Sequence, residues 1–105
     1  MSTQPESRLS RNIAKMLRLD GYFVFKVHGG PTMMAGLPDL VVCAAGLFIG
    51  LETKMPEKRN NVSPRQRYVH EQIKNAGGSV FVVTSVEEAR EFVRAVVEES
   101  SGAAG

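Results

Sequence analysis

One hairpin constrains this chain more than any other feature of its sequence. Two short apolar runs, 40–44 and 47–51, flank the small pair Ala45-Gly46. Such runs on either side of two turn-forming residues predict two antiparallel strands joined by a tight turn. If this pair is the whole loop, Asp39 lies directly opposite Glu52 on the neighbouring strand. A three-residue loop would slip the register and separate the two carboxylates.

The two-residue loop produces an unusual cluster of charges. Carboxylates placed directly opposite each other destabilise a sheet, so this pair suggests that a cation binds there. Lys54 follows Glu52 by two residues, and the alternation of a strand puts both on one face. The two carboxylates and the backbone carbonyl of Thr53 are hard oxygen ligands of the kind that suits Mg²⁺ or Mn²⁺. The alternative is a surface Glu–Lys pair, with Asp39 capping a turn.

Length, charge and cysteine content exclude several classes of protein. The 105 residues are enough for one domain. No apolar run approaches the ~20 residues that span a bilayer, and the polar amino terminus carries no secretory signal, so we expect an intracellular protein without a membrane partner. The single Cys43 excludes an internal disulfide, and its place in a predicted strand favours the core. Residues 1–85 carry 11 Lys and Arg against 6 Asp and Glu, which is compatible with a nucleic-acid partner.

Periodicity and turn signals predict the order α-β-β-β-α-β-α. The second helix begins at a capping box, Ser63–Gln66, and is expected to bury Tyr68, Val69 and Ile73. We expect a mixed four-stranded sheet flanked by helices, in a domain of residues 1–99 with a disordered tail at 100–105. The remaining predicted elements are a helix opened by a capping box at 3–6 and closed at 20–21, strands at 22–27 and 79–84, and a last helix capped at 85–88.

The hairpin and its flanks resemble a nuclease signature. Gly36-Leu-Pro-Asp39, an apolar hairpin and Glu52-Thr-Lys54 resemble the PD-(D/E)xK motif, and more narrowly the VRR-NUC (virus-type replication-repair nuclease) branch in its stand-alone form. The resemblance runs from Glu6 to Glu88 and includes the capping box at 63–66. It implies a restriction-endonuclease-like αβββαβ core, followed here by a C-terminal helix.

The resemblance also implies a role for each matching residue. Asp39 and Glu52 would bind the metal, and Lys54 would be the catalytic lysine. Glu6 on the first helix would reach the metal directly or through water, and Gln66 would support the site. Both of these last residues also occupy the fourth position of a capping box, so each has the alternative role of closing a helix start.

Cationic side chains near the site are the predicted contacts to DNA phosphates. The alternative is a solvated charged surface. No motif resembles a base-reading helix or an aromatic stacking platform, so sequence-specific recognition is not predicted. The predicted contacts are Lys58, Arg59, Arg65 and Arg67 after the hairpin, Arg8, Arg11 and Lys15 on the first helix, and His28 at the start of a Gly-rich loop.

The function that this resemblance implies is metal-dependent cleavage of DNA. We expect a Mg²⁺- or Mn²⁺-dependent endonuclease of viral or bacterial type, acting as a homodimer on branched DNA such as Holliday junctions. One alternative is a non-catalytic nucleic-acid-binding module that keeps the nuclease fold. Another is a repair or restriction-type nuclease that acts on duplex DNA. The intact carboxylate pair and lysine favour an enzyme, because a binding module has no use for them.

Overall fold

The fold is a mixed four-stranded sheet with helices on both faces, as the sequence predicts. The computed structural model describes residues 4–104, and the side chains of residues 4–102. The sheet order is β1-β2-β3-β4, in which only the β3–β4 pair is parallel. The elements are α1 (Pro5–Leu19), β1 (Phe23–Lys26), β2 (Leu40–Ala44), β3 (Leu47–Thr53), a 3-10 helix (Pro56–Lys58), α2 (Pro64–Asn75), β4 (Ser79–Val83) and α3 (Val86–Ala104).

The hairpin turn consists of two residues, as predicted. Ala45 (φ 53°) and Gly46 (φ 78°) both lie in the left-handed region, which is the backbone signature of a type I′ turn. Leu40 pairs with Leu51, so the strands have the predicted register. Continued by one residue, this register places the two predicted carboxylates opposite each other.

The hydrophobic core lies between the sheet and the α1–α3 pair. Alternation along β3 sends Leu51 and Thr53 to this side, while Glu52 faces the opposite side of the sheet, where α2 lies. A buried Glu52 therefore depends on α2 for its polar partners. The buried core residues are Ile13, Ala14, Leu17, Val24, Leu40, Val42, Ala44, Ile49, Leu51, Val83, Ala89 and Val93.

The predicted start of α2 is confirmed, but one of its predicted core residues is wrong. Ser63 Oγ accepts from the Gln66 N–H, and the Gln66 side chain accepts from the Ser63 N–H, which completes a capping box. Tyr68 is exposed and Ile73 is only half-buried, whereas Val69 and His70 are buried. The inward stripe of α2 follows the residues three and four positions after Gln66, and Tyr68 falls outside it.

The two other helices differ from the sequence prediction at their ends. Gln4, not Thr3, is the N-cap of α1, and its side chain makes no capping hydrogen bond; Thr3 itself lies outside the described residues. Helix α3 continues to Ala104, so residues 100–104 are helical where the sequence predicts a disordered tail, and Gly105 lies outside the described residues. Alanine favours helix, whereas Ser100 and Ser101 are weaker helix formers and Gly102 is the weakest among residues 100–104. In the described part of the chain, no helix is both long and apolar enough to cross a membrane.

Cys43 is exposed, which corrects the prediction that it belongs to the core. Its neighbours Val42 and Ala44 face the core, so alternation sends Cys43 to the other side of the sheet, between Phe23 on β1 and Phe48 on β3. Helix α2 lies on this same side of the sheet but packs against β4, so the surface around Cys43 stays exposed. We call the resulting exposed apolar surface the phenylalanine face; it comprises Phe23, Phe25, Cys43 and Phe48.

Candidate active site

Asp39 lies at the start of the hairpin and is fixed by both adjacent strands. Its backbone carbonyl accepts from the Val27 N–H at 2.8 Å. Its Oδ2 accepts from the Thr53 N–H at 2.7 Å, across the sheet at the end of β3. These bonds hold the carboxylate against the end of β3 and leave its second oxygen for another partner.

Glu52 is the buried carboxylate of the site and is held by α2. Its side chain is 1% exposed. Gln66 Nε2 donates to Oε2 at 3.2 Å, and His70 Nε2 lies 3.3 Å from Oε1. Residues four positions apart share one face of a helix, so one turn of α2 supplies a partner for each oxygen of Glu52.

The electrostatics of the pair favour a cation. Burial, and after it the charge and hydrogen bonding of Asp39 and the charge of Glu6, raise the pKa of Glu52 to about 8 against the opposing charge of Lys54. A buried carboxylate beside a second carboxylate is stable only with a proton or another positive charge next to it. Two carboxylates with several retained waters are a donor set that Mg²⁺ accepts, so this site fits a divalent cation.

Glu6 does not complete a three-carboxylate site. Among residues 4–104, no group of three or more His, Cys, Asp or Glu side chains lies close enough together to hold a metal ion. Glu6 lies in the first turn of α1, is half-buried, and acts on Glu52 through its charge. Its alternative role in a capping box with Thr3 lies outside the described residues, because Thr3 itself does. A water-mediated contact of Glu6 with the cation stays a prediction.

Lys54 continues the strand that carries Glu52. Its backbone N–H donates to the Val83 carbonyl at 3.0 Å, which extends the parallel pairing of β3 with β4 beyond Thr53. Its ammonium lowers the pKa of Glu52, yet no carboxylate of the described residues lies within 4.0 Å of it. The lysine is therefore close to the pair without being neutralised by it, and its donors remain available to a substrate.

Gln66 has both of the roles that its sequence position allows. Its Oε1 accepts from the Ser63 N–H at 2.9 Å as part of the capping box, and its Nε2 donates to Glu52 Oε2 at 3.2 Å. The two contacts also determine which end of the amide carries the nitrogen. Through this one side chain, the start of α2 is tied directly to the candidate site.

His70 is a site residue that sequence reasoning missed. It is 7% exposed, and burial lowers the pKa of its imidazole, with the Lys74 charge adding to the effect. When Glu52 is ionised, a neutral imidazole facing it presents its N–H, so Nε2 is then the donor to Glu52 Oε1. The sequence signal that could have identified His70 is its spacing from Gln66, because a residue four positions further along lies on the same face of the helix.

Of the four cations predicted to contact DNA after the hairpin, three also contact the protein. Arg59 makes an ion pair with Glu88 at 2.8 Å, and the first turn of α3 thereby holds the segment after β3. Arg65 donates to a carbonyl of the 28–37 loop and lies 5.4 Å from the centroid of the Tyr68 ring. Arg67 donates to a backbone carbonyl just before α2. Their contacts with DNA stay predictions, and Arg59 is the most fully engaged of the three.

The remaining predicted DNA contacts are on the surface. Their side chains form no ion pair with the described residues. His28 follows Val27, whose N–H pairs with Asp39, so it lies along the chain next to the carboxylate site. These exposed residues are Lys58 in the 3-10 helix, Arg8, Arg11 and Lys15 on α1, and His28.

The 28–37 loop borders the site on the Asp39 side. A cavity of about 350 Å³ is lined by this loop and by Asp39. Gly36 (φ 89°) brings the loop against α2, because a Cβ at this position would lie 2.8 Å from the Arg65 carbonyl oxygen. Only glycine suits both this backbone conformation and this close approach, so Gly36 helps to position the loop beside the carboxylates.

Comparisons with known proteins find similarity among solved structures alone. No family model and no curated protein match the sequence. Eleven chains of solved structures match the fold. One of them, described as "VRR_NUC domain", has a TM-score of 0.67 and 26% sequence identity, over 88% of this chain and 97% of that chain. The chain therefore has the fold of a VRR-NUC domain, which confirms the resemblance that its sequence shows.

Proposed function

We propose that this chain is a metal-dependent, structure-selective DNA endonuclease that hydrolyses phosphodiester bonds of branched DNA as a homodimer. The observation that carries the proposal is the facing pair Asp39 and Glu52, with the ammonium of Lys54 close by. The VRR-NUC fold supports nuclease chemistry. Mg²⁺ and Mn²⁺ both suit the donor set.

Each residue of the site has a distinct part in this reaction. Asp39 and Glu52 would hold the cation, together with the Thr53 carbonyl and with Glu6 through water. A cation bound there lowers the pKa of a water molecule and offsets charge on the phosphoryl group. Lys54 orients the attacking water or stabilises the extra negative charge of the transition state by its own charge. Gln66 keeps Glu52 in place from α2.

Cleavage assays with two variants test this proposal. A four-way junction and a linear duplex of the same sequence are incubated with Mg²⁺ or Mn²⁺ and with wild type, Asp39→Asn or Lys54→Ala. We expect both variants to lose at least about 100-fold in rate, because each lacks a group that acts on the reacting atoms. Glu91→Gln is the matched control, since this exposed acid lies on α3 away from the site; its rate should equal that of wild type.

The outcomes separate the proposal from its alternatives. Cleavage that persists at the wild-type rate in both variants would contradict the mechanism. A wild type that binds the junction but cuts no DNA would indicate a binding module. Equal rates on the duplex and the junction would indicate a nuclease of duplex DNA, without structure selectivity.

The phenylalanine face is our proposed homodimer interface. Phe23 is 66% exposed, Phe25 46% and Phe48 44%, and none of the four residues of this face is charged. A groove of about 300 Å³ continues the apolar surface from Phe48 to Ile73 at the end of α2. Soluble monomers rarely expose such patches. DNA phosphates would need cations here, whereas an uncharged surface complements a second copy of itself about a two-fold axis.

Oligomeric state tests this interface. We expect wild type to sediment as a dimer and the double variant Phe23→Ser/Phe48→Ser to sediment as a monomer at the same concentration. Leu19→Ser is the matched control, because it removes an exposed apolar side chain from α1, outside the phenylalanine face. A monomeric wild type at tens of micromolar, or a dimer that survives the double substitution, would contradict the proposal.

A further inference from the structure

We infer that His70 is a positioning residue for the metal site: its imidazole N–H holds the Glu52 carboxylate in the orientation that binds the cation. This inference rests on the proposed function, because it assigns a role toward the same site. His70 acts through Glu52, and its role differs from that of the carboxylates and of Lys54, which face the cation or the substrate.

The contact that carries the inference is buried on both sides. His70 Nε2 lies 3.3 Å from Glu52 Oε1, and the two side chains are 8% and 1% exposed. Among the described residues, His70 is the only nitrogen donor to Oε1, because Gln66 donates to the other oxygen. Without His70, Oε1 of Glu52 would have no nitrogen hydrogen-bond donor. Because this oxygen is buried, water could not readily take the place of the imidazole.

Two donors on one helix do more than satisfy hydrogen bonds. Gln66 and His70 are separated by one turn of α2, so a single rigid element contacts both oxygens of Glu52. The two held oxygens, together with the side-chain carbons that join the carboxylate to the backbone, determine the orientation of its plane. Each carboxylate oxygen keeps a second lone pair after accepting one hydrogen bond, and these lone pairs remain for the cation. Hydrogen-bond partners of metal ligands commonly change metal affinity about 10–100-fold when they are replaced.

Packing is the alternative explanation for a buried histidine. A side chain that only fills the space between α2 and the sheet would contribute to stability and leave metal affinity unchanged. Val69 provides the matched comparison, because it is the adjacent residue of α2, is 2% exposed, and has no group that can hydrogen-bond to Glu52. Val69→Ala therefore removes packing from the same region without changing the donors to the carboxylate.

The test measures Mn²⁺ binding in the absence of DNA, by isothermal titration calorimetry of the full chain. We expect His70→Leu to weaken binding about 10–100-fold. His70→Gln should stay close to wild type, because its amide nitrogen reaches about as far as the imidazole Nε2. Val69→Ala should lower the melting temperature and leave Mn²⁺ affinity unchanged. The Mn²⁺ concentration for half-maximal junction cleavage should shift in the same order across the variants.

Affinities that are equal in wild type and His70→Leu would overturn the inference, as would an equal loss in Val69→Ala and His70→Leu. If His70→Leu does not fold, His70→Asn replaces it, because this amide is too short to reach Oε1 and should bind Mn²⁺ more weakly than His70→Gln. A wild type that binds Mn²⁺ but cuts no DNA would overturn the proposed function alone. A wild type that binds no Mn²⁺ would overturn both.

Discussion

Glu52 is a buried carboxylate that faces another carboxylate, and this arrangement has a consequence for stability. Its folded-state pKa of about 8 lies above the ordinary value of 4.5. Between these pH values Glu52 holds a proton in the folded chain and has released it in the unfolded chain. The free energy of unfolding of the metal-free protein therefore falls as pH rises through this window. The charged and titratable groups that act on Glu52 are Asp39, Glu6, Lys54 and His70.

We expect the free energy of unfolding in the presence of a chelator to decrease by about 1 kcal/mol between about pH 7 and about pH 9. His70 contributes little in this range, because its pKa lies below 6.5 in the folded chain and the unfolded imidazole is already mostly neutral at pH 7. Urea unfolding at the two pH values measures the change. Glu52→Gln is the control and should show a smaller decrease; parallel behaviour of the two proteins would contradict the expectation.

Gln66 joins a helix cap and an active-site contact in one amide, and substitutions can separate the two. Gln66→Glu keeps an acceptor for the Ser63 N–H but replaces the donor to Glu52 with a third carboxylate. We expect a loss of at least about 10-fold in cleavage rate, because an outer partner of a metal ligand is removed. The helix cap should remain, so the melting temperature should change little.

Ser63→Ala is the complementary variant. It removes the hydroxyl that accepts from the Gln66 N–H, and should lower the free energy of unfolding by about 1 kcal/mol. The contact between Gln66 and Glu52 is unaffected, so cleavage below the melting temperature should proceed at the wild-type rate. If both variants lost stability and activity in the same proportion, the two roles of Gln66 would not be separable.

At the scale of elements, the β2–β3 turn is the feature that sets the register of the site. Both turn residues have positive φ, but only one of them is glycine. An L residue in the left-handed region is strained by roughly 1–2 kcal/mol, and Ala45 carries that strain. Gly46 has open space where a Cβ would be, so any effect of adding one there reports the backbone conformation alone.

We expect Gly46→Ala to lower the free energy of unfolding by about 1 kcal/mol, through backbone strain. Ala45→Gly should leave it unchanged or raise it by up to about 1 kcal/mol, because relief of strain is offset by the entropy of the unfolded glycine. Chemical denaturation of both variants measures the difference. An equal loss of stability in Ala45→Gly and Gly46→Ala would be inconsistent with a two-residue type I′ turn.

Helix α2 shows which features of an element the sequence predicts and which it does not. Its start at Ser63 follows from local chemistry, since the capping box involves residues three apart. Its buried face was predicted less well, because Tyr68 and His70 differ by only two positions and the choice between them depends on which strand the helix crosses. Glu52 needs polar partners, and the helix turns Gln66 and His70 toward it.

At the scale of the whole molecule, a homodimer would bring two Asp39–Glu52 sites to one DNA junction. Mixing active and inactive subunits tests whether the two sites of one dimer act together. Wild-type protein should cut a four-way junction on two strands and release linear duplexes. A mixture with a tenfold excess of Asp39→Asn, refolded together, should contain mainly mixed and inactive dimers, and its main product should be a junction with one nick.

Gel analysis of the products under native and denaturing conditions distinguishes the two outcomes. The control mixes wild type with Glu91→Gln, which should keep paired cuts, because this substitution on α3 leaves both sites intact. If the Asp39→Asn mixture still released linear duplexes in proportion to the remaining wild-type protein, each subunit would cut independently of its partner.

The sequence by itself determined the features that arise between near neighbours in the chain. The turn at Ala45-Gly46 set the hairpin register and so placed Asp39 opposite Glu52, because alternation in paired strands leaves no other arrangement for a two-residue loop. Only the tertiary structure decided what meets across elements. The contact of His70 with Glu52, the ion pair of Arg59 with Glu88 and the exposure of Cys43 all depend on where a helix lies on the sheet. That placement is set by packing between residues far apart in the chain, which no local pattern of the sequence encodes.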